Sequence, residues 1–83
     1  MFTVYVLYAE VYQKIYIGYT SNLEDRLLSH NELATKGWTV QYRPWRIVHT
    51  ETFESKAAAL KREKQLKGGQ GRQWIHQLIK EKK

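Results

Sequence analysis

The 83 residues contain no cysteine, so neither disulfides nor thiolate-bound zinc can stiffen the chain. That absence fits a reducing compartment. No apolar run approaches the ~20 residues that a bilayer-spanning helix requires. Met1-Phe2-Thr3 leads directly into strand-like sequence without a signal-peptide pattern. Gly-x-Gly-x-x-Gly and Walker-type loops are missing, and Gly68-Gly69-Gln70-Gly71 follows helical rather than strand sequence, which suits a helix–helix turn. There is no Ser/His/Asp or Cys/His signature, and His49 and His76 have no metal-ligand spacing to each other or to His30. These exclusions leave a small soluble cytoplasmic protein without a membrane partner, and the length fits one domain over 1–83. A domain of this size buries only a little over ~60% of its unfolded surface and is marginally stable.

What is abundant is positive charge, and it is concentrated. Residues 1–55 hold five basic and six acidic side chains, whereas residues 56–83 hold nine basic and only two acidic ones, Glu63 and Glu81. The net charge of +6 therefore comes from the last third of the chain. A basic segment of this kind suits a polyanion, nucleic acid before an acidic membrane surface, although lysines on a solvated helical face produce the same arithmetic.

Periodicity gives the order of elements. Phe2–Tyr8 is β-branched and aromatic and predicts a strand, and Lys14–Tyr19 predicts a second, joined by a hairpin loop over Ala9–Gln13 that lacks an Asn-Gly or Asp-Gly turn. Gly18 implies a bulge, a bend or a close backbone approach. Ser21-Asn22-Leu23-Glu24 has the form of a capping box with Ser21 as cap, and Leu23, Leu27 and Leu28 form a core-facing stripe behind it. Residues 31–43 read as a loop ending at Pro44, and Trp45–Phe53 as a third strand. Ser55 caps a helix through Lys67, Gly68-Gly69 stops it, and Gln70-Gly71 links it to a last helix whose face is Trp74, Ile75, Leu78 and Ile79. The order β-β-α-β-α-α, without a repeating βαβ unit, favours an α+β fold with a small three-stranded antiparallel sheet flanked by helices.

Three features sit awkwardly in a purely structural reading. Glu63 shares the apolar stripe of its helix with Ala59, Leu60 and Leu66, although every other charge on that helix is positive. It either pairs with Arg62 or Lys67, or serves as a metal ligand or general base, oxygen donors being what Mg²⁺ prefers. Arg26 and His30 are four apart and share an exposed face, which suits phosphate binding and proton transfer as well as plain solvation. Five of the six tyrosines (Tyr5, Tyr8, Tyr12, Tyr16, Tyr19) lie in the first hairpin. Whether Tyr5 and Tyr16 share a sheet face depends on a register the sequence leaves open.

Thr3-Val4-Tyr5, Tyr16-Ile17-Gly18-Tyr19-Thr20, Arg26, His30, Arg43-Pro44-Trp45 and Leu60 to Lys67 around Glu63 occur together, in an order that resembles the GIY-YIG nuclease domain. The resemblance covers roughly Phe2 to Ile79. Within the family it is nearest to small stand-alone bacterial proteins related to the N-terminal nuclease domain of the ABC excinuclease.

The resemblance implies a metal-dependent endonuclease that hydrolyses phosphodiester bonds in DNA, in a DNA repair or recombination setting. It implies Tyr5, Tyr16, Arg26, His30 and Glu63 as catalytic residues, with Glu63 holding a single Mg²⁺ or Mn²⁺. Lys61, Lys64, Lys67 and Arg72 are the expected nucleic-acid contacts. A tyrosine acting as base would need its pKa of ~10 lowered by the metal or by arginine, and the choice of base among Tyr5, Tyr16 and His30 stays open.

Thr3 and Val4 stand where the name-giving motif has Gly and Ile. Tyr19 stands where some nucleases have lysine, and no C-terminal asparagine equivalent is present. With no separate recognition domain, sequence specificity is expected to be low or to come from a protein partner. A catalytically weak nucleic-acid-binding module that keeps the fold is the alternative.

Overall fold

The computed structural model describes residues 1–33 and 37–81. Lys36, Lys82 and Lys83 of the charge count lie outside the described residues. Strands β1 (Phe2–Ala9), β2 (Lys14–Thr20) and β3 (Arg46–Phe53) form an antiparallel sheet in the order β2-β1-β3. Helix α1 (Leu23–Leu28) follows β2, and α2 (Lys56–Lys67) and α3 (Gly69–Glu81) follow β3. The expected order and fold class are those observed.

β1 is central and covered on both faces, which is why its sequence is a continuous apolar run rather than an alternating one. Val4, Val6 and Tyr8 pack with Ile17 and Val48, and with Ala59, Leu66, Ile75 and Ile79 of α2 and α3. Tyr5, Leu7 and Ala9 point the other way, into a second cluster with Trp45, bordered by Tyr16, Leu23, Leu27 and Tyr42. A register shift between Val6 and Leu7 marks a bulge in the β1–β3 ladder. The hairpin turn lacks glycine because Gln13 itself takes the left-handed conformation, at φ 54°.

Several local expectations need correction. The cap of α1 is Asn22, not Ser21: Asn22 Oδ1 accepts the Asp25 N–H at 3.2 Å, and its Nδ2 donates to Asp25 Oδ2 at 3.0 Å. Thr20 decides this, because its hydroxyl accepts the Asn22 N–H at 3.0 Å and holds Asn22 extended, one residue after the expected cap. Leu23 and Leu27 face the core, but Leu28 is exposed. Residues 31–43 are not simply a loop: a π-helical turn (Ser29–Leu33) extends α1, and a 3-10 turn covers Trp38–Tyr42.

The link between the last two helices is Gly68 alone, since α3 already begins at Gly69. Gly71 lies inside α3 because a Cβ there would come within 2.5 Å of the Gln65 carbonyl and 2.6 Å of the Leu66 backbone. The glycine run is thus a close helix crossing. Ser55 caps α2 as expected, accepting the Ala58 N–H at 3.2 Å. Ile75 and Ile79 are buried on α3, while Trp74 is exposed beside His49 and Arg62. Arg62 ties α2 to β3 through two donors on Glu51 at 2.9 and 3.0 Å, and His49 Nε2 meets the same carboxylate at 2.7 Å.

Candidate active site

Register now settles what the sequence left open. Tyr5 lies opposite Gly18 and Leu7 opposite Tyr16, so Tyr5 and Tyr16 share one face as diagonal neighbours with ring centroids 6.2 Å apart. Gly18 is required by close approach: a Cβ there would sit 2.7 Å from the Tyr5 hydroxyl and 2.9 Å from Cζ. The missing side chain makes the bed on which the Tyr5 ring lies.

His30 joins the tyrosines from the π-helical turn. Its Nε2 is 3.1 Å from the Tyr5 hydroxyl, its Nδ1 is 3.0 Å from Thr39 Oγ1, and its ring centroid is 4.7 Å from that of Tyr16. The expectation of an exposed face shared by Arg26 and His30 is therefore half wrong. Arg26 is exposed, but His30 is only 8% exposed, because the widened turn carries it inward against the sheet.

Arg43-Pro44-Trp45 fixes that turn. Arg43 donates to the Ser29 and His30 carbonyls, while Asn31 accepts the Trp45 N–H at 2.6 Å and donates to its carbonyl at 3.0 Å. Trp45 Nε1 also donates to the Thr39 carbonyl at 2.7 Å, locking the residue that faces His30 Nδ1.

Electrostatics divides the roles. Burial, then the neighbouring Tyr16, pushes the Tyr5 hydroxyl above the ordinary tyrosine range; the Arg26 charge and hydrogen bond pull the other way, and the Glu63 charge adds to the rise. Tyr5 therefore carries its proton at neutral pH: the lowering that a tyrosine base would require is not supplied by arginine alone, because one exposed guanidinium does not offset burial of the ring. His30 is lowered by burial first and then by the Arg26 and Arg43 charges, so it is neutral at pH 7. Of the two, the neutral imidazole is the competent proton acceptor.

Glu63 reaches this cluster from α2, close enough for its charge to act on Tyr5. Its side chain is 16% exposed, and Lys67 Nζ, one turn on, lies 3.3 Å from Oε1. Of the two pairings weighed from sequence, Lys67 is the one formed, since Arg62 is held by Glu51. Among the described residues no group of three or more His, Asp or Glu could cage a metal. One half-buried carboxylate nevertheless fits Mg²⁺ or Mn²⁺, which keep waters and take substrate phosphate oxygens alongside one or two carboxylates.

The structure thus brings Tyr5, Tyr16, Arg26, His30 and Glu63 into one neighbourhood. It separates the four basic residues expected to meet nucleic acid: Lys67 and Arg72 line a cleft of about 230 Å³ together with Tyr16 and Trp38, while Lys61 and Lys64 stand on α2 and do not line it. Sequence reasoning missed Thr39, Asn31 and Trp38. Only the aromatic content of residues 38–45 hinted that this stretch does more than connect.

A family model described as the GIY-YIG catalytic domain matches residues 1–75. The chain belongs to that family. Its relatives include a UPF0213 protein of Natronomonas pharaonis, 41% identical over 55 residues that cover 66% of this chain and 65% of the relative. A UPF0213 protein of Staphylococcus haemolyticus is 40% identical over 53 residues, covering 64% and 65%. A third, from Bacillus velezensis, is 37% identical over 71 residues, covering 82% and 72%. The chain spans 65% of the length of the first of these relatives. The GIY-YIG catalytic domain is a nuclease-type domain, and the three-stranded antiparallel sheet with three helices agrees with its fold. Among the described residues no helix is long and apolar enough to cross a membrane.

Proposed function

We propose that this GIY-YIG protein is a divalent-metal-dependent endonuclease that hydrolyses phosphodiester bonds in DNA with low sequence specificity. The observation that carries this reading is the hydrogen bond between the Tyr5 hydroxyl and a buried, neutral His30, with Arg26 and Glu63 both acting on Tyr5. Mg²⁺ or Mn²⁺ bound at Glu63 would supply Lewis-acid stabilisation of the leaving oxygen. Arg26, exposed beside the tyrosines, neutralises charge building on the phosphoryl oxygens through its planar donor fork.

Tyr5 orients the attacking water. As its oxygen takes the water proton, its own proton passes to His30 Nε2, and the resulting imidazolium donates from Nδ1 to Thr39 Oγ1. This relay lets a tyrosine with a raised pKa take part without becoming a free phenolate. Tyr16 packs against His30 and Tyr5 and walls the site toward the cleft. Lys61, Lys64, Lys67 and Arg72 supply sequence-independent phosphate contacts. A DNA substrate recognised by structure rather than sequence suits repair or recombination intermediates in the cytoplasm, with a protein partner providing any further selectivity.

One observation favours the alternative of a catalytically weak binding module: Lys67 already neutralises Glu63. The deciding experiment is nicking of supercoiled plasmid with Mg²⁺ or Mn²⁺, run for wild type, Glu63→Ala and Arg26→Ala, with thermal melts to confirm folding. Loss of product in both folded variants supports the nuclease. Absence of product from wild type on duplex, single-stranded and branched DNA, with salt-sensitive binding unaffected by Glu63→Ala, establishes the binding module instead.

A further inference from the structure

Trp38 plays no part in the proposed chemistry, yet it lines the same cleft as Tyr16. Its indole is 46% exposed, while its inner side packs on Tyr42 at 4.8 Å and Trp45 at 5.8 Å between ring centroids. From Trp45 the ring array continues to Tyr16 at 6.3 Å, and from Tyr16 to His30 at 4.7 Å. The exposed ring thus belongs to a packed aromatic series that reaches the candidate active site. The cleft of about 230 Å³ that Trp38 shares with Tyr16 is also lined by Lys67 and Arg72; Arg72 is steadied there by donating from Nε to the Lys67 carbonyl at 3.1 Å, and Lys67, though paired with Glu63 at 3.3 Å, has further ammonium N–H groups to donate.

We propose that Trp38 is a stacking subsite for one unpaired base of a DNA strand, with the phosphate flanking that base held by Lys67 and Arg72. The inference rests on the nucleic-acid reading above and adds to it a requirement for an unstacked nucleotide beside the cut. Positive charge beside an exposed aromatic ring is the arrangement that binds single strands, because every base has a π-face and every linkage has a charge. Bases in a duplex stack on one another and cannot offer that face without being unstacked. The shared cleft also makes the subsite continuous with the Tyr16 edge of the candidate site, so a base seated on Trp38 brings a neighbouring phosphate toward Tyr16, Tyr5 and Arg26. Because Trp38 is pre-packed on Tyr42 and Trp45, little side-chain freedom is lost when a base stacks on it.

The test uses the whole chain in metal-free buffer, so that binding is read without turnover. Fluorescence anisotropy compares a short labelled single-stranded DNA with a blunt-ended, fully paired two-strand duplex of the same length, for wild type, Trp38→Ala and Trp38→Phe. Trp38→Ala is expected to weaken single-strand binding by about tenfold and to leave duplex binding unchanged. Trp38→Phe restores most of the loss, since it keeps a ring on the Tyr42 and Trp45 support. A strand with an abasic site at the stacked position should lose affinity for wild type but not for Trp38→Ala. Equal losses on strand and duplex, no loss on either, or indifference to abasic sites at every position overturns the subsite. The metal-dependent nicking assay reports separately: a ring-dependent strand preference without cleavage refutes the nuclease while keeping the subsite, and cleavage without ring dependence does the reverse.

Discussion

Gly18→Ala puts the packing of the candidate site to a quantitative test. A methyl group at position 18 would lie 2.7 Å from the Tyr5 hydroxyl, 2.9 Å from its Cζ and 3.1 Å from Tyr16 Cε2. Real Cβ contacts are several tenths of an ångström longer, so something must yield. The two nearest obstructing atoms belong to the Tyr5 ring, which is 1% exposed and packed with Leu7, Ala9 and Trp45, so it cannot simply swing aside. Overpacking of this kind costs about 1–3 kcal/mol. For a domain of this length that lowers Tm by roughly 4–24 °C. The displaced hydroxyl also moves off His30 Nε2, so nicking should fall by more than the loss of folded protein. Gly69→Ala is the matched control: nothing lies within 4 Å of its added Cβ, and it starts α3, so it should be neutral or gain about 0.4–1 kcal/mol. Thermal melts followed by circular dichroism, with nicking assayed on the same samples, decide the matter. A Gly18→Ala protein that melts within about 2 °C of wild type and cuts normally would refute the claim that Tyr5 is seated on the glycine.

Three further outcomes are expected. Asn22→Ala should cost about 1 kcal/mol in urea denaturation, whereas Ser21→Ala should stay within about 0.5 kcal/mol; the opposite ranking would restore Ser21 as the cap. His30 has a folded pKa below its unfolded value of 6.5, so its contribution to stability is present above that value and is lost as pH falls through the folded value. Wild type should accordingly lose stability below about pH 6.5 through a component absent from His30→Gln, and parallel pH curves would contradict a buried neutral imidazole. Burial raises Glu51, but the hydrogen bonds from Arg62 and His49 overcome it and leave the carboxyl below its usual 4.5. The stability gap between wild type and Glu51→Gln should therefore be full above pH 4.5 and shrink as pH falls through the folded value, and a constant gap in urea midpoints would show that the carboxylate charge is irrelevant.

The order of elements was legible because it depends on local chemistry. The β-branched run of β1, the Ser55 cap and the Ile75/Ile79 spacing each specify their own segment. The misreadings fall where two residues compete for one local role, or where the partner lies far away in sequence. Ser21 and Asn22 are both good caps, and a hydroxyl from the end of β2 chose between them. His30 looked like part of a solvent face because periodicity assumes a regular helix, and the π-helical turn held by Arg43 and Trp45 is set by residues thirteen and fourteen positions on. Thr39 carries no signal at all by itself; its value comes from the His30 ring nitrogen it meets.

The sequence by itself determined composition, charge asymmetry, element order and the family, all of which rest on residue identity and spacing along the chain. Tertiary structure decided the register that places Tyr5 diagonal to Tyr16, the inward turn of His30, the partner of Glu63 and the ring array that includes Trp38. The physical reason is separation: most of these contacts join residues from different elements, and their energies depend on burial and distances that no local pattern encodes. The raised Tyr5 hydroxyl shows the consequence most directly, because the burial responsible for it exists only after the chain has closed around it.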